Sequence, residues 1–352
     1  MMDVSMIKVL LPAALAFVIG IMIAPLITHF LYKHKVWKKE GGKKALGGRD
    51  ATEFNRLKGC NETKTPRMGG IVIWGSVLLT VGILYVLQII FTSTVTADLD
   101  LLSRSQTLIP LSVLLAGAMF GLLNDYYDVT HRDGVALRIR LVLISILAIA
   151  IGWWFYDKLD IVTIGIPLLA DWHVGWGIIP IFVFFTIGLY ASGIIDGIDG
   201  LSGGVFASIF IAYATVATMQ AQLDIAALCA AIAGATLAFL WFNIPPARFW
   251  MTETGSMALT LTLAVIVFLT DSLGGGYGVS LFFIIGLPLI ITAGSAFVQI
   301  LYRKCTGKKL LRIAPLHHHF EAIGWPSHKV TMRYWVFSII CSIIGIALAA
   351  SF

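Results

Sequence analysis

Four short stretches carry the residues whose types and spacing suit chemistry. In GLLNDYYDVTHRD, Asp125 and Asp128 stand three residues apart; in GIIDGIDGLSGG, Asp196 and Asp199 repeat that spacing. Carboxylates so spaced share one face where the chain is helical. Gly197 and Gly200 let backbone come close to a ligand. In WFNIPPARFWMTETGS, Glu253 follows Pro245 and Pro246, which break any helix there, and sits in a turn rich in threonine and glycine. In LRIAPLHHHFE, His317, His318 and His319 are consecutive. Clustered carboxylates suit a hard cation such as Mg²⁺, which takes oxygen ligands and keeps waters and substrate phosphates. Lys64, Arg138 and Arg140 can neutralise phosphate charge. Together these groups point to phosphoryl transfer, in which metal and basic groups stabilise charge while the protein positions the reactants.

Each motif has a plainer reading. A lone DxxD at a helix end is usually a solvated cap, and a lone DGxDG is usually a turn. Their joint occurrence on one side of a set of apolar spans is the informative observation. The histidines are internal and so are no tag. A zinc site wants three or four converging ligands, which neighbouring loop histidines rarely supply. Cys60, Cys229, Cys305 and Cys341 are scattered without metal spacing and read as free thiols. Imidazole titrates near neutral pH, so the triplet reads as a hydrogen-bond donor group for phosphate or substrate.

The elements that must position these residues are transmembrane helices. Of 352 residues, 58% are hydrophobic and 12% charged. That charged fraction is about half the usual one and cannot cover a water-soluble surface. Ten candidate spans follow: Val9–Tyr32, Ile71–Phe91, Leu108–Leu123, Leu141–Phe155, Ile178–Ile195, Val205–Met219, Ile225–Phe242, Met257–Leu269, Val279–Tyr302 and Tyr334–Ala350. Several fall short of the ~20 residues that cross a bilayer, and their ends are expected to extend. The first is too long for a cleavable leader and is expected to remain as a helix. The expectation is an all-α integral membrane protein, residues 1–352 forming one polytopic domain. The span containing Gly234 reads as close helix packing.

Basic residues crowd the odd-numbered loops (Lys33 to Arg67, Arg132 to Arg140, Arg248, and Arg303 to Arg333), while the even-numbered loops hold only Arg104 and Lys158. By the positive-inside rule the odd loops are cytoplasmic and both termini lie outside. Asp98, Asp100, Asp157, Asp160, Asp171, Asp224 and Asp271 then fall outside and read as solvated loop residues, with Asp160–His173 as a small hairpin. Asp125, Asp128, Asp196, Asp199 and Glu253 fall at cytoplasmic span ends, where carboxylates near lipid suggest function. A transporter would instead place ionisable groups at mid-span and break helices in paired repeats. No nucleic-acid partner is expected.

The stretches TPRMGGIVI, DGIDGLSGG, WFNIPPARFWMTETGS and APLHHHFEAIGWPSHKVTMRYW resemble, in order from about residue 60 onward, the phospho-N-acetylmuramoyl-pentapeptide transferase family. The histidine stretch is specific within the wider polyprenyl-phosphate N-acetylhexosamine-1-phosphate transferase superfamily. The resemblance implies transfer of phospho-MurNAc-pentapeptide from UDP-MurNAc-pentapeptide to undecaprenyl phosphate, giving lipid I and UMP, with Mg²⁺. It also implies ten transmembrane helices, a cytoplasmic active face, a homodimer and a bacterial inner membrane. Asn124 and Asp125 fall on the family's paired aspartates. Asp196 and Asp199 fall on the aspartates of NxxDGxDG, with Gly193 on its asparagine. Glu253 falls on the magnesium-binding aspartate of MGDxGS. The implied roles are Asp125 orienting or deprotonating the lipid phosphate, Asp196 and Asp199 shaping the metal and uridine pocket, and Glu253 binding Mg²⁺. His317, His318, His319, Lys64, Arg138 and Arg140 face the substrates. The amide at Asn124, the missing side chain at Gly193 and the longer Glu253 are departures. They leave a weakly active or inactive homologue as one alternative, and the wider superfamily leaves another, a relative using a different UDP-sugar such as UDP-GlcNAc.

Overall fold

The computed structural model describes residues 4–39, 63–91, 99–102, 105–131, 134–167, 169, 171–272 and 276–351. Lys43, Lys44, Arg49, Arg56, Lys58, Cys60, Asp98, Arg104 and Arg132 lie outside the described residues. The helices are α1 (Val4–Lys33), α2 (Ile71–Ile90), α3 (Ser105–Thr130), α4 (Leu137–Lys158), α5 (Ile178–Ser192), α6 (Leu201–Met219), α7 (Leu223–Asn243), α8 (Thr252–Ser272), α9 (Gly278–Ile285), α10 (Leu287–Thr306), α11 (Leu316–Ala322) and α12 (Ser327–Ala349). Among the described residues nine helices are long and apolar enough to span a membrane, and the α9–α10 pair makes a tenth if counted as one. The protein is therefore a multi-pass helical membrane protein.

α6, α7 and α8 form the centre. The most apolar window of α8 is 89% buried, against 22% for that of α1, whose remaining surface faces outward. Backbones meet where side chains vanish. A Cβ on Gly121 would overlap the carbonyl of Glu253, and one on Gly117 would lie 2.9 Å from Ala258 Cα, so α3 and α8 touch along their site ends. A Cβ on Gly234 would overlap the Ala13 carbonyl, which confirms close packing of α7 on α1. At the opposite end Phe155, Phe182, Phe185, Phe268 and Phe282 interlock with ring centroids 4.9–6.1 Å apart, tying α4, α5, α8 and α9.

Four expectations need correction. The span Val279–Tyr302 is not continuous, because α9 and α10 meet at 71° across Gly286. Pro288 in the first turn of α10 has no N–H to continue the helix, and a Cβ on Gly286 would strike the Phe282 ring. One break without a paired counterpart among the described residues does not make a transporter's repeat. Glu253 lies in the first turn of α8, since that helix begins five residues before the apolar run does. The histidines lie on the short helix α11 and not in a loop. Finally, Asp271 and Asp100 are buried, and Asp224 pairs with Lys8 at 2.7 Å, so these are not solvated loop residues. The small hairpin is present: Thr163–Ile164 (β1) pairs antiparallel with Trp172–His173 (β2) in the register Thr163↔His173.

Candidate active site

The site is assembled around the start of α8. The first N–H groups of a helix have no partner within it, and they attract carboxylates. Asp196 accepts the Thr252 N–H at 2.7 Å through Oδ2, and Asp125 accepts the Thr254 N–H at 2.9 Å. Asp125 Oδ2 also takes the hydroxyls of Thr252 (2.5 Å) and Thr254 (2.6 Å). Its other oxygen, Oδ1, is buried and has no protein partner. Asp125 can reach this point because α3 runs to Thr130 and lies against α8 at Gly121.

Thr252 holds several parts at once. Besides its bonds to Asp196 and Asp125, its hydroxyl accepts the Met68 N–H at 3.1 Å. Its φ of +53° is left-handed, unusual for a β-branched residue. The MGDxGS pattern has glycine at this position. The TPRMGG stretch lies beside it, joined by Gly69 N–H to Trp250 O (2.8 Å) and Trp250 N–H to Pro66 O (2.9 Å). Gly70 has to be glycine here, because a Cβ would overlap the Gly255 backbone.

The DGIDG turn is fixed from three sides. Ser202 donates to Asp196 Oδ1 at 2.6 Å. Asp199 accepts the Trp250 indole N–H (3.0 Å) and the Ala247 N–H (3.1 Å). Asn243 accepts the Gly200 N–H at 3.0 Å and donates to Phe249 O at 2.8 Å, joining α7 to both motifs. From α12, Thr331 donates to Asp199 O and Trp335 to Gly200 O.

The histidines divide. His317 and His318 are buried and direct Nε2 at the DGIDG turn, since a Cβ on Gly197 would lie 2.7 and 2.6 Å from those atoms. Glu321 holds His318 Nδ1 at 2.7 Å and itself accepts Ser327 Oγ at 2.5 Å. His319 turns away, and its Nδ1 accepts the Arg312 N–H at 3.2 Å.

Of the basic residues, Arg140 pairs with Glu253 at 2.5 Å. Lys64 and Arg138 are exposed and form no ion pair with these carboxylates among the described residues. Arg67 and Lys38 both bind Asp128, Lys38 at 3.1 Å. Asn124 serves the loop before α4, where its Oδ1 accepts the Val135 N–H at 3.0 Å. Gly193 faces Ser256, whose Oγ would lie 3.4 Å from a Cβ there. The structure thus gathers Asp125, Asp196, Asp199, Glu253, Arg140, His317 and His318. It directs Asn124 and His319 to local backbone, and leaves Lys64 and Arg138 at the surface. The residues that sequence reasoning missed are Thr252, Thr254, Asn243, Trp250, Thr331 and Trp335. All lie inside quoted motifs, but they are neutral and carry no charge to mark them.

Residues 107–271 match the family described as Glycosyl transferase family 4. A phospho-N-acetylmuramoyl-pentapeptide-transferase of Geobacillus sp. (strain WCH70) is 33% identical over 336 residues, 94% of this chain and 95% of the relative. The proteins of the same name from Geobacillus thermodenitrificans (strain NG80-2) and Bacillus anthracis (strain A0248) are each 30% identical over 96% of this chain, and over 97% and 96% of their own lengths. With near-full-length similarity and the motif residues gathered at one end of the bundle, the chain belongs to the phospho-N-acetylmuramoyl-pentapeptide-transferase family.

Proposed function

We propose that residues 1–352 work as one membrane domain that transfers phospho-MurNAc-pentapeptide from UDP-MurNAc-pentapeptide to undecaprenyl phosphate. An oxygen of the lipid phosphate attacks the β-phosphorus. The bond to the bridging oxygen breaks, and UMP leaves with that oxygen; the other product is lipid I. The observation that carries this reading is the cluster at the start of α8, where Asp125, Asp196 and Asp199 are fixed beside the Glu253–Arg140 pair and two buried histidines.

Asp125 presents Oδ1 to the attacking phosphate or its counter-ion. Arg140 draws off the charge that develops on the departing UMP phosphate. His317 and His318 donate to phosphate across Gly197, while Asp196 and Asp199 hold the walls of the nucleotide pocket. Mg²⁺ fits this set. Among the described residues no three His, Cys, Asp or Glu side chains converge as a closed cage. Mg²⁺ commonly takes only one or two carboxylates, with water and substrate phosphate completing its shell. Asp125, through its unpartnered oxygen, and Glu253 are the groups to hold it. When bound it neutralises the diphosphate charge. The reading further places the site end at the cytoplasmic face of the bacterial inner membrane, both termini outside, in a homodimer; the crowding of basic residues in the odd loops supports that orientation.

The test is UMP release from purified protein given UDP-MurNAc-pentapeptide, undecaprenyl phosphate and Mg²⁺ or Mn²⁺. Release is expected. Its absence across a range of both metals defeats the reading, and preference for UDP-GlcNAc in a donor competition shifts it to the wider superfamily.

A further inference from the structure

We infer that Thr252 is a positioning residue for the reaction, its hydroxyl setting which oxygen of Asp125 faces the centre. The inference rests on the proposed reaction, and three observations carry it.

First, the backbone at Thr252 is left-handed, with φ +53°. Such a conformation is disfavoured for a β-branched side chain and easy for glycine. Strained residues persist where surroundings over-determine them, most often at functional sites. Second, this one residue joins elements remote in sequence. Its N–H serves Asp196 of the DGIDG turn, and its hydroxyl donates to Asp125 of α3 while accepting from Met68 of the TPRMGG turn. Third, the bonds on Asp125 are unequal. All its donors, Thr252 Oγ1, Thr254 N and Thr254 Oγ1, converge on Oδ2, and Oδ1 is buried without a partner.

The Met68 N–H is directed at Thr252 Oγ1, and the hydroxyl proton has two acceptors within reach, Asp125 Oδ2 at 2.5 Å and Met251 O at 2.8 Å; the shorter contact, to a charged carboxylate, is the stronger one. The hydroxyl thus acts as a relay that, with the two bonds from Thr254, fixes the carboxylate's rotation, and its contact is the shortest of the three. A carboxylate free to rotate would alternate its oxygens between the threonines and the centre. With Thr252 in place, Oδ1 is presented in one orientation before substrate arrives, and little reorganisation remains for the reaction. Glycine at 252 keeps the N–H to Asp196 and frees the backbone, but it removes the relay.

The experiment compares wild type with Thr252→Gly and Thr252→Ser. Glycine relieves the left-handed strain, so T252G is expected to melt within a few degrees of wild type. Loss of a hydroxyl bonded to a charged group is expected to lower kcat for UMP release about ten- to a hundredfold. The KM for the UDP-sugar is expected to move less than threefold, because the nucleotide pocket is untouched. T252S, which restores the hydroxyl, is expected to recover kcat to within about threefold. T252G retaining kcat within twofold of wild type overturns the inference, as does T252S performing no better than T252G. If wild type releases no UMP, the proposed reaction fails, and Mn²⁺ binding followed by electron paramagnetic resonance then decides the role of Thr252. Weaker binding by T252G than by wild type and T252S supports it, and equal signals from all three proteins overturn it.

Discussion

A buried aspartate lies at each end of α8, Asp271 on the helix itself and Asp125 reaching its start from α3, and the two are bound differently. Asp271, 3% exposed, uses both oxygens: Oδ1 accepts the Gly165 N–H and Oδ2 the Val279 N–H, each at 2.9 Å. It ties the chain after β1 to the start of α9, and its bonds are complete. Asp125 at the other end loads its bonds on one oxygen and leaves the other buried and unpaired. A buried polar atom without a partner is costly to the fold. Asp100 Oδ2 is another such atom, so the unpaired oxygen of Asp125 is informative because the other motif residues gather around it. Both aspartates are buried; completeness of hydrogen bonding, together with the motif residues gathered around Asp125, distinguishes the brace at Asp271 from the group proposed to meet a ligand.

The comparison breaks most easily at Asp125. Asp125→Asn keeps the shape and an acceptor for Thr254 but removes the charge, and UMP release is expected to fall about a thousandfold or more, as when a charge-stabilising group is lost. If D125N turns over at a tenth of wild type or better, the unpaired oxygen marks nothing. Arg140→Ala removes the partner of Glu253, and a loss of about a hundredfold is expected in the same assay. Gly197→Ala places a methyl 2.6 Å from His318 Nε2 and must displace the ring. About a tenfold fall in kcat is expected there, with unchanged melting showing that the fold survives. The smallest effect on turnover belongs to Asp271→Ala. UMP release per folded molecule should stay within twofold, while heat denaturation in detergent records a loss of about 2–3 kcal/mol from two unsatisfied N–H groups. A large drop in kcat for D271A with little change in melting would erase the distinction between the ends.

Much of this was legible in the sequence for physical reasons. Apolar runs cannot hide in a chain with 12% charged residues, so the span count and nearly all span positions follow from composition. Carboxylates beside lipid are costly enough to draw the eye to Asp125, Asp196 and Asp199. What escaped depends on contacts across the chain. The break at Gly286 lies inside a continuous apolar run, where periodicity has nothing to report, and Pro288 was the one local sign. Asp271 looks like an outer-loop aspartate until Gly165 and Val279 fold onto it. His319 cannot be told from His317 and His318 by type, and only the turn of α11 points it at Arg312. Thr252 was hidden by neutrality, since its left-handed backbone and its three-way bonding exist only once α3, the DGIDG turn and the TPRMGG turn have met.

The contact of Gly117 and Gly121 with α8 bears on which changes of length the chain can absorb. Asp125 lies four residues beyond Gly121, a little over one helical turn. Inserting one residue between them would rotate the carboxylate by about 100° and advance it by about 1.5 Å, off the threonines altogether. Inserting four would restore its facing to within about 40° yet carry it about 6 Å past them. Neither error can be absorbed by sliding α3, because the glycines admit no side chain against the α8 backbone and so fix the register of the two helices. The interval from Gly121 to Asp125 is therefore a ruler whose length is set by geometry, and homologous exchange of segments would have to conserve its count even where its letters change.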